Sequence, residues 1–150
     1  MATCTFFGHA DTPERVEPAL QNVLVDLIEN HGVSIFYVGN HGNFDRLVAR
    51  TLQKLQQLYP FITFNVVLAY LPTAMDARHS KNTLYPNGIE TVPKRFAIVW
   101  RNRWMLDKSS YVVTYVRAPV GGAAKFKALA EKQQKIIINL CDCLLENKLK

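Results

Sequence analysis

The sequence predicts a Rossmann-like α/β sandwich: a doubly wound, mainly parallel five-stranded sheet with helices on both faces. Three observations carry that prediction. Strand-like and helix-like patterns alternate along the whole chain. The strand segments are continuous apolar runs, as expected of parallel strands buried on both faces, rather than alternating ones. A chain of 150 residues, 49% of them hydrophobic, can bury one substantial core as a single domain over residues 1–150, which excludes a disordered tail or a disulfide-stapled miniprotein.

The elements follow in order. Thr3 to Phe7 is short and β-prone and ends in Gly8-His9. Asp11-Thr12-Pro13-Glu14 reads as a helix start, with a capping residue ahead of a proline in the first turn, and Val16, Ala19, Leu20, Val23, Leu24, Leu27 and Ile28 recur at helical spacing until Gly32. Val33 to Val38 is the second strand and Gly39-Asn40-His41-Gly42 a turn. Phe44, Leu47, Val48, Leu52, Leu55 and Leu58 mark an amphipathic helix that Pro60 ends. Ile62 to Leu71 reads as a long apolar strand, and residues 72–92 as a polar connection long enough to serve as a lid or binding loop. Pro93 opens a third helix running to about Asp107, Tyr111 to Val116 is a strand, and Ala118 to Gly122 a turn. A helix from Ala123 to about Gln133, a last strand from Ile136 to Leu140 and a short helical tail complete the series.

Several classes of function drop out. No apolar run approaches the roughly 18 residues of a membrane span, and the first nine residues lack the basic start of a signal peptide. Cys4, Cys141 and Cys143 form an odd, unframed set that suits a reducing compartment, so a cytoplasmic protein without a metal site is expected. No cysteine or serine is paired with a histidine in a recognisable nucleophilic motif, and Cys4 reads as an inert strand residue. Charge is uneven. Residues 1–75 carry four basic side chains against six acidic ones, whereas residues 76–150 carry fourteen against six, which points to an anionic partner met by the second half.

Ligands of doubly wound sheets bind beyond the carboxyl ends of the strands. Three glycine turns fall there: Gly8-His9, Gly39-Asn40-His41-Gly42 and Gly121-Gly122-Ala123. Glycine lets the backbone approach a ligand, and the free N–H groups of the following helix attract phosphate. None has P-loop spacing and no G-x-G-x-x-G occurs, which excludes a Walker-type ATPase and disfavours ordinary NAD binding, so no cofactor is expected. In the third helix, Lys94, Arg95, Arg101, Arg103 and Lys108 face Asp107 alone, and Arg101-Asn102 could offer a guanidinium fork to a phosphate. His9 and His41 sit at strand ends in the expected pocket, His79 lies in the polar connection, and His31 ends a helix.

The opening Thr-Cys-Thr-Phe-Phe-Gly-His, Gly39-x-x-Gly42-x-x-Asp45, Arg101-Asn102-x-x-Met105 before a strand, and Gly121-Gly122 before an alanine-rich helix together resemble the SLOG superfamily, nearest its YpsA-like branch. That superfamily also holds the LOG phosphoribohydrolases and the DprA/Smf proteins. The resemblance covers nearly the whole chain in motif order. It implies a Rossmann-like domain that binds nucleotides or nucleotide-derived molecules, as a sensor or as an N-glycoside-cleaving enzyme. Against the LOG signature Pro-Gly-Gly-x-Gly-Thr-x-x-Glu, Gly121 and Gly122 match, while Ala124, Lys125 and Ala128 replace the third glycine, the threonine and the glutamate. Hydrolysis of an N-glycosidic bond needs a carboxylate near the sugar, and only Asp45 or Glu90 could stand in.

The leading expectation is therefore a binding module for a nucleotide or ADP-ribose-like small molecule. Phosphate would rest on Gly8 and the Gly121-Gly122-Ala123 helix start, and Arg101 and Asn102 would answer its charge. Gly39, Asn40, His41, Gly42, Asp45 and His9 would line the ribose and base side. A nucleotide N-glycosidase is the first alternative. Nucleic-acid binding ranks below both, because the sequence lacks interleaved basic and aromatic residues. Trp100 and Trp104 on the third helix suggest a homodimer or dimer-based oligomer, and no membrane partner is expected.

Overall fold

A computed structural model describes residues 2–71 and 82–149, with side chains as far as Leu144. The strands are β1 (Ala2–Gly8), β2 (Val33–Val38), β3 (Thr63–Val67), β4 (Thr83–Leu84), β5 (Tyr111–Tyr115) and β6 (Ile136–Asn139). The helices are α1 (Glu17–Asn30), α2 (Asn43–Leu58), α3 (Ala97–Asp107), α4 (Gly122–Lys132) and α5 (Leu140–Leu149). The six strands lie in the order β4-β3-β2-β1-β5-β6, and every neighbouring pair is parallel. The chain winds outward from β1 through β2 and β3 to β4 and then returns to β5 on the other side of β1. The strand order thus reverses between β1 and β5, and their carboxyl ends form the crevice of a doubly wound sheet.

Side chains alternate across the sheet because successive residues of a strand point to opposite faces. Phe6, Phe36, Val38 and Val113 pack with Leu20, Leu24, Leu47, Leu52 and Leu140, so α1, α2 and α5 cover one face. Phe7, Val67 and Val112 pack with Met105, Leu106, Phe126 and Ala130, so α3 and α4 cover the other. Burial of a side chain such as Phe6, 1% exposed, contributes about 2–3 kcal/mol against leaving it in water.

The fold class is as the sequence predicts, with three differences of detail. The sheet has a sixth strand, because Thr83 and Leu84 pair with Val66 and Val67 inside the stretch read as a polar connection. Two residues are too few to show a pattern. The third strand is shorter than the apolar run 62–71 suggests: regular structure ends at Val67, although the Leu68 N–H still donates to the Leu84 carbonyl at 2.8 Å. The first helix begins later than Thr12-Pro13 implies. Pro13 precedes a 3₁₀ turn over Glu14–Val16, α1 starts at Glu17 with Pro18 in its first turn, and the Thr12 hydroxyl donates to the His9 carbonyl at 2.6 Å instead of capping a helix. His79 lies outside the described residues.

Candidate functional site

The site is built around a buried cation. Arg101 stands in the middle of α3 and is 2% exposed. Its Nη1 donates to the Val67 carbonyl at the end of β3 and to Asn40 Oδ1, both at 3.0 Å, and its Nε donates to Asn102 Oδ1 at 2.9 Å. Its Nη2 lies 3.3 Å from His41 Nδ1. A guanidinium only donates, so Nδ1 accepts and the imidazole proton sits on Nε2. The neutral ring is consistent with its surroundings: burial and the Arg101 charge both hold the His41 pKa below its usual value. Arg101 thus ties α3 to the end of β3 and to the β2–α2 turn. Burial lowers its own pKa, with Asp45 opposing, yet a guanidinium remains charged.

Asp45, in the first turn of α2, faces Arg101 across Gly39. Its Oδ2 accepts the His41 backbone N–H at 3.0 Å. Burial pushes its pKa up to about 6, against the pull of that hydrogen bond and of the Arg101 charge. A Cβ on Gly39 would lie 2.8 Å from Asp45 Oδ2 and 2.9 Å from Arg101 Cζ. The two charged groups approach each other only because this residue is glycine. Gly42, at φ +91°, brings the same turn within 2.7 Å of Ala10 Cα, measured from where a Cβ would stand.

Gly39, Asn40, His41, Gly42, Asp45, Arg101 and Asn102 are therefore brought together. Gly8 serves packing: a Cβ there would sit 2.2 Å from Phe44 Cγ. His9 turns toward β5. Its Nε2 accepts the Arg117 N–H at 3.0 Å and its ring meets Tyr115 edge-on, while Arg117 pairs with Asp11 at 2.7 Å. Gly121, at φ +93°, and Gly122 have open space where a Cβ would stand, and Ala123 follows them in the first turn of α4. Beside this turn lies a shallow groove of about 290 Å³ bordered by Arg117, Ala124, Lys127 and Ala128.

Sequence reasoning missed a cavity larger than this groove. It measures about 540 Å³ above the ends of β3 and β4, and Ala69, Ile89 and Ala97 form its floor. Tyr70 and Tyr85 line it with Glu90 and Lys94. Tyr70 is held from two sides: its hydroxyl donates to the Lys94 carbonyl at 3.3 Å, and its ring meets His41 edge-on at 5.9 Å. Glu90, one of the two carboxylates considered for glycoside hydrolysis, lies at this cavity and accepts the Gly88 N–H at 3.0 Å. The available signal was Tyr70 just before the polar connection and Tyr85 within it. Cys4 is fully buried and its thiol is pushed far up by that burial, in keeping with an inert strand residue.

The tryptophans expected at a subunit interface are partly covered by their own chain. Trp104 packs edge-on against Tyr37 at 5.2 Å with Lys108 over its ring, and Trp100 stands beside Gly88. The exposed apolar residues of this region are Phe96 and Val99.

No protein-family model matches the chain, and no curated protein matches it. Solved structures do. DNA processing protein A from Helicobacter pylori, described for its single-stranded DNA binding mode, is similar at a TM-score of 0.63 and 14% identity over 98% of this chain and 73% of that one. DNA processing protein A (DprA) from Streptococcus pneumoniae is similar at 0.67 and 11% identity over 98% of this chain, which spans 56% of that protein. These likenesses show a DprA-like Rossmann fold. They also correct the low rank given to nucleic acid among partners, since this architecture occurs in a protein that binds single-stranded DNA. Basic and aromatic side chains also meet in space, where the Lys94-Arg95-Phe96 turn lies close to Tyr70 and Tyr85. No described helix is long and apolar enough to cross a membrane.

Proposed function

We propose that the chain binds single-stranded nucleic acid across the carboxyl edge of its sheet. The observation that carries this reading is the segment Lys94-Arg95-Phe96, which lies between β4 and α3 at that edge. All three side chains are exposed, and the Arg95 guanidinium lies over the Phe96 ring at 4.8 Å. No described carboxylate pairs with Lys94 or Arg95. Cations that track a phosphate backbone, next to rings on which bases stack, are the two parts of a single-strand binding surface. Lys125, exposed in the first turn of α4, extends the positive charge along the same edge, where Arg117 is already paired with Asp11. The single-stranded DNA binding described for the Helicobacter protein of the same fold supports the reading.

The buried Arg101 plays a different part. With its donors engaged by Val67, Asn40 and Asn102, it fixes the β2–α2 turn from beneath and leaves phosphate contact to the exposed cations. Binding that depends on released counterions weakens as salt rises. Fluorescence anisotropy with a labelled oligonucleotide of about 20 nucleotides, titrated between roughly 50 and 200 mM salt, tests this. The expected result is a steep linear loss of log affinity with log salt, shallower by about one unit of slope in the Lys94→Ala/Arg95→Ala double variant. Absence of binding at the lowest salt, or an affinity that salt does not change, would overturn it.

A further inference from the structure

We propose that the cavity above β3 and β4 receives one unstacked nucleobase of the bound strand, seated between Tyr70 and Tyr85, with the adjoining phosphate on Lys94; this rests on the nucleic-acid reading above. The cavity lies beside the Arg101–Asp45 cluster, and Tyr70, whose ring meets His41 edge-on, joins the two. Its floor is apolar and closed: Ala69, Ile89 and Ala97 are 3%, 2% and 2% exposed. A floor of that kind offers no hydrogen-bond partners to a sugar or a phosphate. It suits the flat, weakly hydrated face of a ring.

The walls are aromatic and the rim is charged. Its volume of about 540 Å³ falls within the roughly 300–1,000 Å³ of ligand pockets and leaves room for a base with its ribose. Tyr70 is positioned by its hydrogen bond to the Lys94 backbone carbonyl, which sets the ring beside the residue that carries the cation. An ordered ring loses little freedom when a base stacks on it, which makes such stacking favourable. Glu90 also lines the cavity, and its carboxylate repels a phosphate. The strand backbone is thereby kept to the side that Lys94 and Arg95 occupy, and the base enters from there. An apolar peptide side chain could fill the floor, but it would leave Lys94 and Arg95 without an anionic counterpart.

The test compares a short oligoadenylate of about six nucleotides with an abasic hexamer of the same backbone, binding to the full chain at low salt. The base-bearing strand is expected to bind about ten-fold more tightly. Tyr85→Leu and Tyr70→Leu should each remove about ten-fold of that affinity and leave the abasic strand unaffected. Two independent variants, each checked for an unchanged circular dichroism spectrum, guard against a simple folding defect. The wild-type comparison of the two strands depends on neither variant. If both strands bind alike, or the tyrosine variants weaken them equally, the cavity takes no base while strand binding itself stands. If neither strand nor the longer oligonucleotide binds, the nucleic-acid reading fails and takes the cavity assignment with it. A free adenosine monophosphate that binds as tightly as the hexamer would assign the cavity to mononucleotides and overturn the proposal.

Discussion

The β2–α2 and β5–α4 turns look alike in sequence, each placing glycine between a parallel strand and the helix that follows, but they do opposite things in the molecule. At the first, Gly39 is buried between Asp45 and Arg101, and Gly42 presses on Ala10, so both glycines are required by neighbouring protein atoms. At the second, Gly121 and Gly122 are exposed with nothing near the place of a Cβ. The base of the first turn, at Gly39, is closed by the side chains of Asp45 and Arg101, while Asn40, His41 and Gly42 stay exposed. The second is free. A glycine at a strand end therefore marks close approach only when something approaches, and in the β2–α2 turn that something is a buried Asp–Arg arrangement belonging to the protein itself.

The largest effect should come from cutting the tie beneath the packed turn. Arg101→Leu removes donors to the Val67 carbonyl and to Asn40 and Asn102 and leaves Asp45 buried with no cation opposite it. Loss of one member of a buried polar arrangement costs about 3–4 kcal/mol. Urea denaturation should show that loss, and the Asp45 pKa should rise further once the favourable charge is gone. Gly39→Ala should follow at about 2 kcal/mol, because its Cβ would stand 2.8 Å from Asp45 Oδ2 and 2.9 Å from Arg101 Cζ and must push both groups aside. A Gly39→Ala protein as stable as the wild type would mean that the turn is looser than the distances indicate.

Much of this was legible beforehand, for identifiable reasons. Parallel strands buried on both faces leave long apolar runs, so β1, β2 and β5 stand out, whereas Thr83 and Leu84 join the sheet with only two residues and no periodicity. Gly39, Asn40, His41 and Asp45 fall at the end of one parallel strand, so their convergence on the carboxyl edge is readable from the sequence, whereas their contact with Arg101, in the middle of α3, is a tertiary one. What sequence could not reveal was depth. Nothing in Arg101-Asn102 distinguishes a guanidinium aimed at a ligand from one turned inward to backbone carbonyls. Nor does spacing bring Tyr70, Tyr85 and Lys94 to one cavity, because their meeting depends on a tertiary contact between the β3 end and the turn before α3.

Asp45 sharpens the contrast through pH. Its pKa is raised from 3.8 to about 6 by burial, so the folded protein holds this proton more tightly than the unfolded chain does. The ionised carboxylate consequently opposes folding above pH 6, and stability contributed by this group grows as pH falls through 6 toward 4. Asp45→Asn keeps an oxygen for the His41 N–H without the charge. It should stabilise the protein at pH 7.5 by on the order of 2 kcal/mol, seen as a higher melting temperature, and the gain should vanish near pH 4. A wild type and variant that differ equally at both pH values would show that Asp45 titrates normally.

The smallest effect belongs to the open turn, and its smallness is informative. Gly122 opens α4, its φ lies outside the left-handed region, and a methyl group there meets no atom within 4 Å. Replacing a helical glycine by alanine removes freedom from the unfolded chain, so Gly122→Ala should raise stability by about 0.5 kcal/mol, within 1–2 °C of melting temperature. Gly121→Ala differs, since at φ +93° a Cβ is strained whatever the space around it, and a loss of about 1 kcal/mol is expected. If strand phosphates run past this turn toward Lys125, the methyl of Gly122→Ala, harmless to the fold, should still weaken oligonucleotide binding by about two-fold, as it crowds the N–H groups that open the helix. Unchanged binding together with raised stability would confine the nucleic-acid surface to the Lys94-Arg95-Phe96 side. Neither glycine turn would then touch the ligand, the first because Gly39 is enclosed by Asp45 and Arg101 and the second because the strand passes elsewhere.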